Sequence, residues 1–107
     1  MKRCCAVLLM LAPLSAMAYP IDMEKHMDGV KVDATPHDVY HDIGALTLDN
    51  YGQVPAACRV TFRNGPEAPR VRRVSVPAGG RADVTARFNR QVLKLRIKVE
   101  CEAEQTN

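Results

Sequence analysis

The sequence predicts an all-β protein, a small antiparallel β-sandwich of immunoglobulin-like type with one disulfide. Three observations predict it. Apolar and polar residues alternate over short runs with no long stretch at helical spacing. Clusters of turn-forming residues separate those runs. Two cysteines, Cys58 and Cys101, fall on the apolar parity of two different runs.

The leader comes first along the chain. Met1-Lys2-Arg3 is basic, residues 4–14 are mostly apolar, and Ser15-Ala16-Met17-Ala18 offers small residues at an A-x-A cleavage site. This order is that of a secretory signal peptide, with cleavage expected after Ala18. The apolar run is about half of the roughly 20 residues that a transmembrane helix needs, so the expectation is release rather than anchoring. A lipoprotein would carry its cysteine at the cleavage point, whereas Cys4 and Cys5 precede the apolar run. Residues 1–18 are therefore read as signal and residues 19–107 as a single β-sandwich domain, placed in the periplasm or secreted.

Removing the leader leaves 89 residues, enough for one domain with a modest core. The charge falls from +3 to +1, with thirteen bases against twelve acids. The cysteines fall from four to two, an even number in an oxidising compartment, so one disulfide is expected, with two buried free thiols as the alternative.

The strand runs are then taken in order. Val30, Val32 and Ala34 share one parity, as do Leu46 and Leu48, and Cys58, Val60 and Phe62. Val74 and Val76 follow, then Ala82, Val84, Ala86 and Phe88, and last the run Leu93, Leu95, Ile97, Val99 and Cys101. Turn signals stand between them: Asp49-Asn50-Tyr51-Gly52, Arg63-Asn64-Gly65-Pro66 and Pro77-Ala78-Gly79-Gly80. Six or seven strands result. Polar alternate faces and short connections imply antiparallel sheets packed face to face. The disulfide would join either neighbours in one sheet or opposite sheets, and the pattern leaves both open. No tryptophan is present to pack on it, which leaves Phe62, Phe88 and Tyr51 as aromatic candidates.

Charge is unevenly spread. Residues 19–50 sum to −5 and residues 51–107 to +6. Arg59 and Arg63 lie on the outward parity of one run, and Lys94, Arg96 and Lys98 on that of another, so a basic face forms if those strands are neighbours. Such a face is either ordinary solvated surface or a docking site for an anionic partner, an acidic protein segment or an anionic envelope glycan. Nucleic acid is disfavoured by the compartment and by the scarcity of aromatics for stacking. In Pro66-Glu67-Ala68-Pro69-Arg70-Val71-Arg72-Arg73 the prolines stiffen a loop that would hold Arg70, Arg72 and Arg73 outward. This segment is a recognition loop or an edge strand kept soluble by arginine.

A second class of function rests on Met23, His26 and Met27, close in sequence, and on His37-Asp38 repeated as His41-Asp42. Thioether with imidazole suits Cu(I), and imidazole with carboxylate suits Zn(II). His37 and His41 share an ion if Thr35-Pro36 opens a helical turn; in a strand they stand about 13 Å apart. Catalysis is not expected: the one serine after the leader, Ser75, sits in a strand without a nucleophile-elbow motif. Gly79-Gly80 lacks the lysine and following helix of a phosphate loop, and no cofactor motif is present.

Tyr19-Pro20-Ile21-Asp22, the Asp42-Ile43-Gly44 turn, the run from Phe62 to Arg70 and the last cysteine strand together resemble a family of short exported bacterial proteins of unknown function. Some of its members are labelled 3-phosphoglycerate kinase. The resemblance spans nearly the whole chain and implies export and a single domain; its motifs carry no known chemistry. The kinase label fails on physics, since such kinases close two large α/β domains around a nucleotide. Two readings remain: a binding module that meets an anionic partner, and a metal-handling protein using the N-terminal third.

Overall fold

The computed structural model describes residues 19–104. The signal peptide expected over residues 1–18, with Cys4 and Cys5, lies outside them, as do the last three residues of the polar tail. The described residues hold seven strands and no helix: β1 (Ile21–Asp28), β2 (Val32–Tyr40), β3 (Ile43–Asn50), β4 (Ala56–Asn64), β5 (Arg70–Val76), β6 (Arg81–Arg87) and β7 (Leu95–Ala103). They form two sheets, β1-β7-β4-β5 and β2-β3-β6. All pairings are antiparallel except β1 with β7, which run parallel.

The inner rows are those read from the alternation. Leu95, Ile97, Val99, Val60 and Phe62 of the larger sheet meet Leu46, Leu48, Val84 and Ala86 of the smaller, all nearly inaccessible to solvent. Burying such side chains contributes about 1.5–3 kcal/mol each relative to leaving them exposed. Phe62 and Phe88 fill the aromatic role in this core, whereas Tyr51 is 63% exposed in the loop after β3. Leu93 is also displaced from its expected place: it lies before β7 begins and is 76% exposed.

The strand order differs from the immunoglobulin one, in which the second and third strands lie in opposite sheets. Here β2 and β3 pair as a hairpin, because the two-residue turn His41-Asp42 is too short to cross between layers. That same pairing leaves no helical turn at Thr35-Pro36, the condition on which His37 and His41 could share an ion. Pro36 is tolerated in β2 because β2 is an edge strand, where a residue without an N–H can face away from the ladder. β1 is the strand that the alternation did not show. Lys25 breaks its apolar parity, and Ile21, Met23 and Met27 are only partly buried at the sheet edge.

Cys58 and Cys101 are direct partners in the β4–β7 register and form the disulfide, with Cα atoms 4.1 Å apart. The bridge therefore lies within one sheet. The short separation is that of a non-hydrogen-bonded pair. Accordingly the hydrogen bond from Glu104 N to Pro55 O places odd-numbered β4 residues on the ladder with β7.

Two asparagines tie the layers together at their ends. Asn50, 2% exposed, donates from Nδ2 to Val54 O and Val76 O and accepts from Gly52 N, which fixes the loop after β3 against the end of β5. Asn64 donates to Glu67 Oε2 and Arg90 O, joining the β4–β5 turn to the loop after β6. Gly65 (φ 56°) permits that turn, since a side chain there would meet left-handed backbone strain.

Candidate functional site

The outward face of the larger sheet carries most of the candidate cations, and the registers place them in rows. β1, β7 and β4 bring Asp22, Arg96 and Arg63 side by side, then Glu24, Lys98 and Thr61. The next row is His26, Glu100, Arg59 and Arg73, with β5 now contributing. Arg63 stands directly opposite Arg96, and Arg59 directly opposite Arg73. Like charges in these positions oppose pairing. Among the described residues none of these four arginines has a carboxylate within ion-pair distance.

Two depressions mark this face. One, of about 330 Å³, is lined by Asp22, Glu24, Thr61, Arg63, Arg96 and Lys98. The other, of about 980 Å³, holds Arg59 and Arg73 but also Asp28, Glu100, Glu102 and Glu104. The larger one is balanced in charge and leans acidic; the smaller one concentrates cations. Thr61 at its floor is only 8% exposed although it belongs to the outward row, with the long side chains of Arg63 and Lys98 beside it.

The acids of this face lie on β1, as Asp22, Glu24 and Asp28, and on the second half of β7, as Glu100 and Glu102. Lys94 pairs with Asp22 at 3.0 Å, both exposed, so Lys94 is engaged at the approach to β7 rather than in the cationic row. Glu24 contacts His26 Nε2. That hydrogen bond holds the Glu24 carboxyl below its ordinary range against the opposing effect of burial, with further help from the charges of His26 and Lys98.

Arg70 and Arg72 do something the sequence reading did not assign. The β4–β5 register sets them opposite Phe62 and Val60, on the inner parity of an edge strand, so they are not held outward. Arg72 donates from Nε to Thr85 O on β6 at 3.1 Å and from Nη1 to Val71 O on its own strand at 3.1 Å. Arg70 donates from Nε to Arg87 O at 3.2 Å and from Nη1 to Ala68 O at 2.6 Å, and it lies 5.3 Å from the centre of the Phe88 ring. Even-numbered β6 residues face β3, as the bond from Asn50 N to Gly80 O shows, so Thr85 and Arg87 turn their carbonyls to the free edge. The two guanidinium groups therefore span the gap between the sheet edges. Glu67 supports them from the turn, with a side chain 10% exposed and 3.7 Å from Arg70. Burial alone would push its carboxyl up; the N–H groups of Asn89 and Arg90, the Asn64 amide and the Arg70 charge outweigh this and hold it low.

The metal candidates are not brought together. Met23 and Met27 point to the inner side of β1 against the core, whereas His26 is on its outer side with Glu24. His37 lies in β2 of the other sheet, and His41 lies in the turn beyond it, its carbonyl accepting from Val92 N. Among the described residues no group of three or more His, Cys, Asp or Glu is placed to hold an ion.

One constellation was missed by sequence reasoning: His37 Nε2 lies 2.9 Å from Thr47 Oγ1, which donates to Asp83 Oδ1 at 2.7 Å. Its three members come from three strands on an exposed outward face, so only the sheet register reveals it. The carboxylate accepts from the hydroxyl and the imidazole lies on the far side, so the order is not that of a nucleophile with its base and orienting acid. Ser75 likewise donates to Glu104 Oε2 at 2.7 Å. No helix among the described residues is long and apolar enough to cross a membrane. No family model, curated protein or solved structure matches the chain.

Proposed function

We propose that the protein is an exported β-sandwich binding module that meets an anionic partner on the outward face of its larger sheet. The carrying observation is the juxtaposition of Arg63 and Arg96, with Lys98 in the next row, around one hollow and without ion pairs to the two arginines. An anionic group seated there relieves the repulsion between the facing cations, and Arg59 and Arg73 extend the same lane. The basic leader followed by an apolar run and Ala16-Met17-Ala18 supports export, which places an acidic protein segment or an anionic envelope glycan within reach.

The test is titration of the protein, residues 19–107, with poly-aspartate and with a sulfated polysaccharide at two ionic strengths. Affinity should fall as salt rises. Arg63→Gln with Arg96→Gln should weaken capture at least tenfold while leaving the melting temperature unchanged or higher. Arg63→Glu with Arg96→Glu, which sets two glutamates opposite each other and beside Asp22, should weaken capture further at some cost in stability. Capture indifferent to that double reversal would overturn the reading.

A further inference from the structure

The opposite edge of the same sheet supplies a second and different site. β1 is the terminal strand of its sheet and, among the described strands, hydrogen-bonds to β7 alone. The bond from Leu95 N to Pro20 O, with Ile21 in register with Leu95, fixes which backbone groups are used. In a parallel ladder of this phase the even-numbered residues of β1 bond to β7, and Ile21, Met23, Lys25 and Met27 turn their N–H and C=O groups to the outside. The register is unbroken over all eight residues and holds no proline. Natural sheets usually blunt such an edge. Here β2 carries Pro36 on its free edge and the β6 edge is covered by arginine, while β1 carries Lys25 on its inner parity as its one such device and keeps its outward backbone groups unpaired among the described strands.

We infer that the β1 edge receives an extended strand of another protein, one with cations at alternate positions and apolar residues between them. The outer row of β1 is Asp22, Glu24, His26 and Asp28. Asp22 is paired with Lys94 and Glu24 with His26, both in solvent-exposed contacts that an incoming cation can share or replace, and Asp28 makes no ion pair among the described residues. An added strand therefore meets carboxylates on that side. The inner row offers Met23 and Met27, each only partly buried, which apolar residues of the newcomer would cover. A second copy of this chain is the poorer occupant. Every two-fold antiparallel pairing of β1 with itself centred on Met23, Glu24, Lys25 or His26 sets at least one carboxylate opposite another, and like charges facing across strands are destabilising. Main-chain pairing would supply affinity and the alternating side chains specificity.

The experiment is amide hydrogen exchange by NMR on residues 19–107, with and without a blocked heptapeptide of alternating lysine and valine. Free protein should show slow exchange at the Asp22, Glu24 and His26 amides and fast exchange at Met23, Lys25 and Met27; the peptide should slow the latter three at least tenfold. Lys25→Pro removes an outward N–H without touching the bonds to β7 and should weaken peptide binding at least tenfold. If that variant fails to fold, the wild-type exchange pattern decides alone. The glutamate–valine counterpart should bind at least tenfold more weakly, and Arg63→Glu with Arg96→Glu should leave lysine–valine binding intact, which separates this site from the anionic one. Protection elsewhere, protection of the same three amides by self-association without peptide, or no protection at all would overturn the inference.

Discussion

The larger sheet has two edges built by opposite means, one a closed seam against the smaller sheet and the other an open seam. Between β5 and β6, Arg70 and Arg72 reach from one edge to carbonyls of the other, and the Phe88 ring lies beside the Arg70 guanidinium. Along β1 itself no such rung exists among the described residues, the cross-sheet bond from Tyr19 Oη to Ile43 O lying just before it, and β1 keeps a full row of backbone groups without a partner strand. The difference shows that a cation's role in a β protein depends on its parity and on its distance from an edge. Arginines on the inner parity of an edge strand become structure, and those on the outer parity of central strands, Arg59, Arg63 and Arg96, stay exposed to solvent.

The largest effect should come from the disulfide, because it joins β4 to β7 and β1 is attached through β7 alone. With a sequence separation of 43, its removal should cost about 4 kcal/mol on the chain-entropy model. Urea denaturation of Cys58→Ala with Cys101→Ala checks the size. Hydrogen exchange should quicken at β1 before β5; the reverse order would mean that the open seam is not the weaker one.

Next in size is the closed seam itself. Replacing Arg70 and Arg72 together by Met should destabilise by roughly 1–2 kcal/mol, since each net hydrogen bond contributes about 1 kcal/mol and Arg72 is exposed enough to lose part of that to water. The same exchange at Arg63 and Arg96 should change stability by no more than about 0.5 kcal/mol, because relief of repulsion offsets lost packing. Equal losses at the two places would erase the distinction between structural and available arginines.

The extent to which this was legible follows the same division. The alternation at Cys58-Val60-Phe62 and Leu95-Ile97-Val99-Cys101 reports full burial on one face, and the structure keeps those rows. β1 escaped because an edge strand buries little, so nothing forces its parity and Lys25 can sit on the inner side. Arg70 and Arg72 could not be told from Arg73, because the fate of a long cation near an edge depends on which strand of the other sheet lies within reach. Likewise the pairing of Arg63 with Arg96, more than thirty residues apart, is a register fact that no local pattern carries.

A smaller effect should appear on acidification. Glu67 and Glu24 both titrate below their ordinary range in the folded protein. A depressed carboxyl contributes stability that is present above the unfolded pKa of about 4.3 and is lost as pH falls through the folded value. Stability should therefore drop below about pH 4, and Glu67→Gln should flatten that drop more than Glu24→Gln, because the Glu67 side chain is 10% exposed and the Glu24 side chain 63%. Thermal melts from pH 2 to 6 on both variants decide it; a larger change from Glu24 would place the acid-sensitive contact at the open seam instead.

The smallest change in stability belongs to Pro36, although its consequence for association should be visible. The bond from Tyr51 N to Lys31 O sets the phase of the β2–β3 ladder, in which odd-numbered β2 residues bond to β3 and Pro36 faces the free edge. Its missing N–H therefore costs the native sheet nothing and denies a rung to an incoming strand. Pro36→Val should shift stability by no more than about 0.5 kcal/mol, while light scattering across a concentration series should show more self-association than the parent chain gives. A variant that associates no more than its parent would mean that the charges of β2, not its proline, keep this edge alone, and the contrast with β1 would then rest on side chains rather than on the backbone.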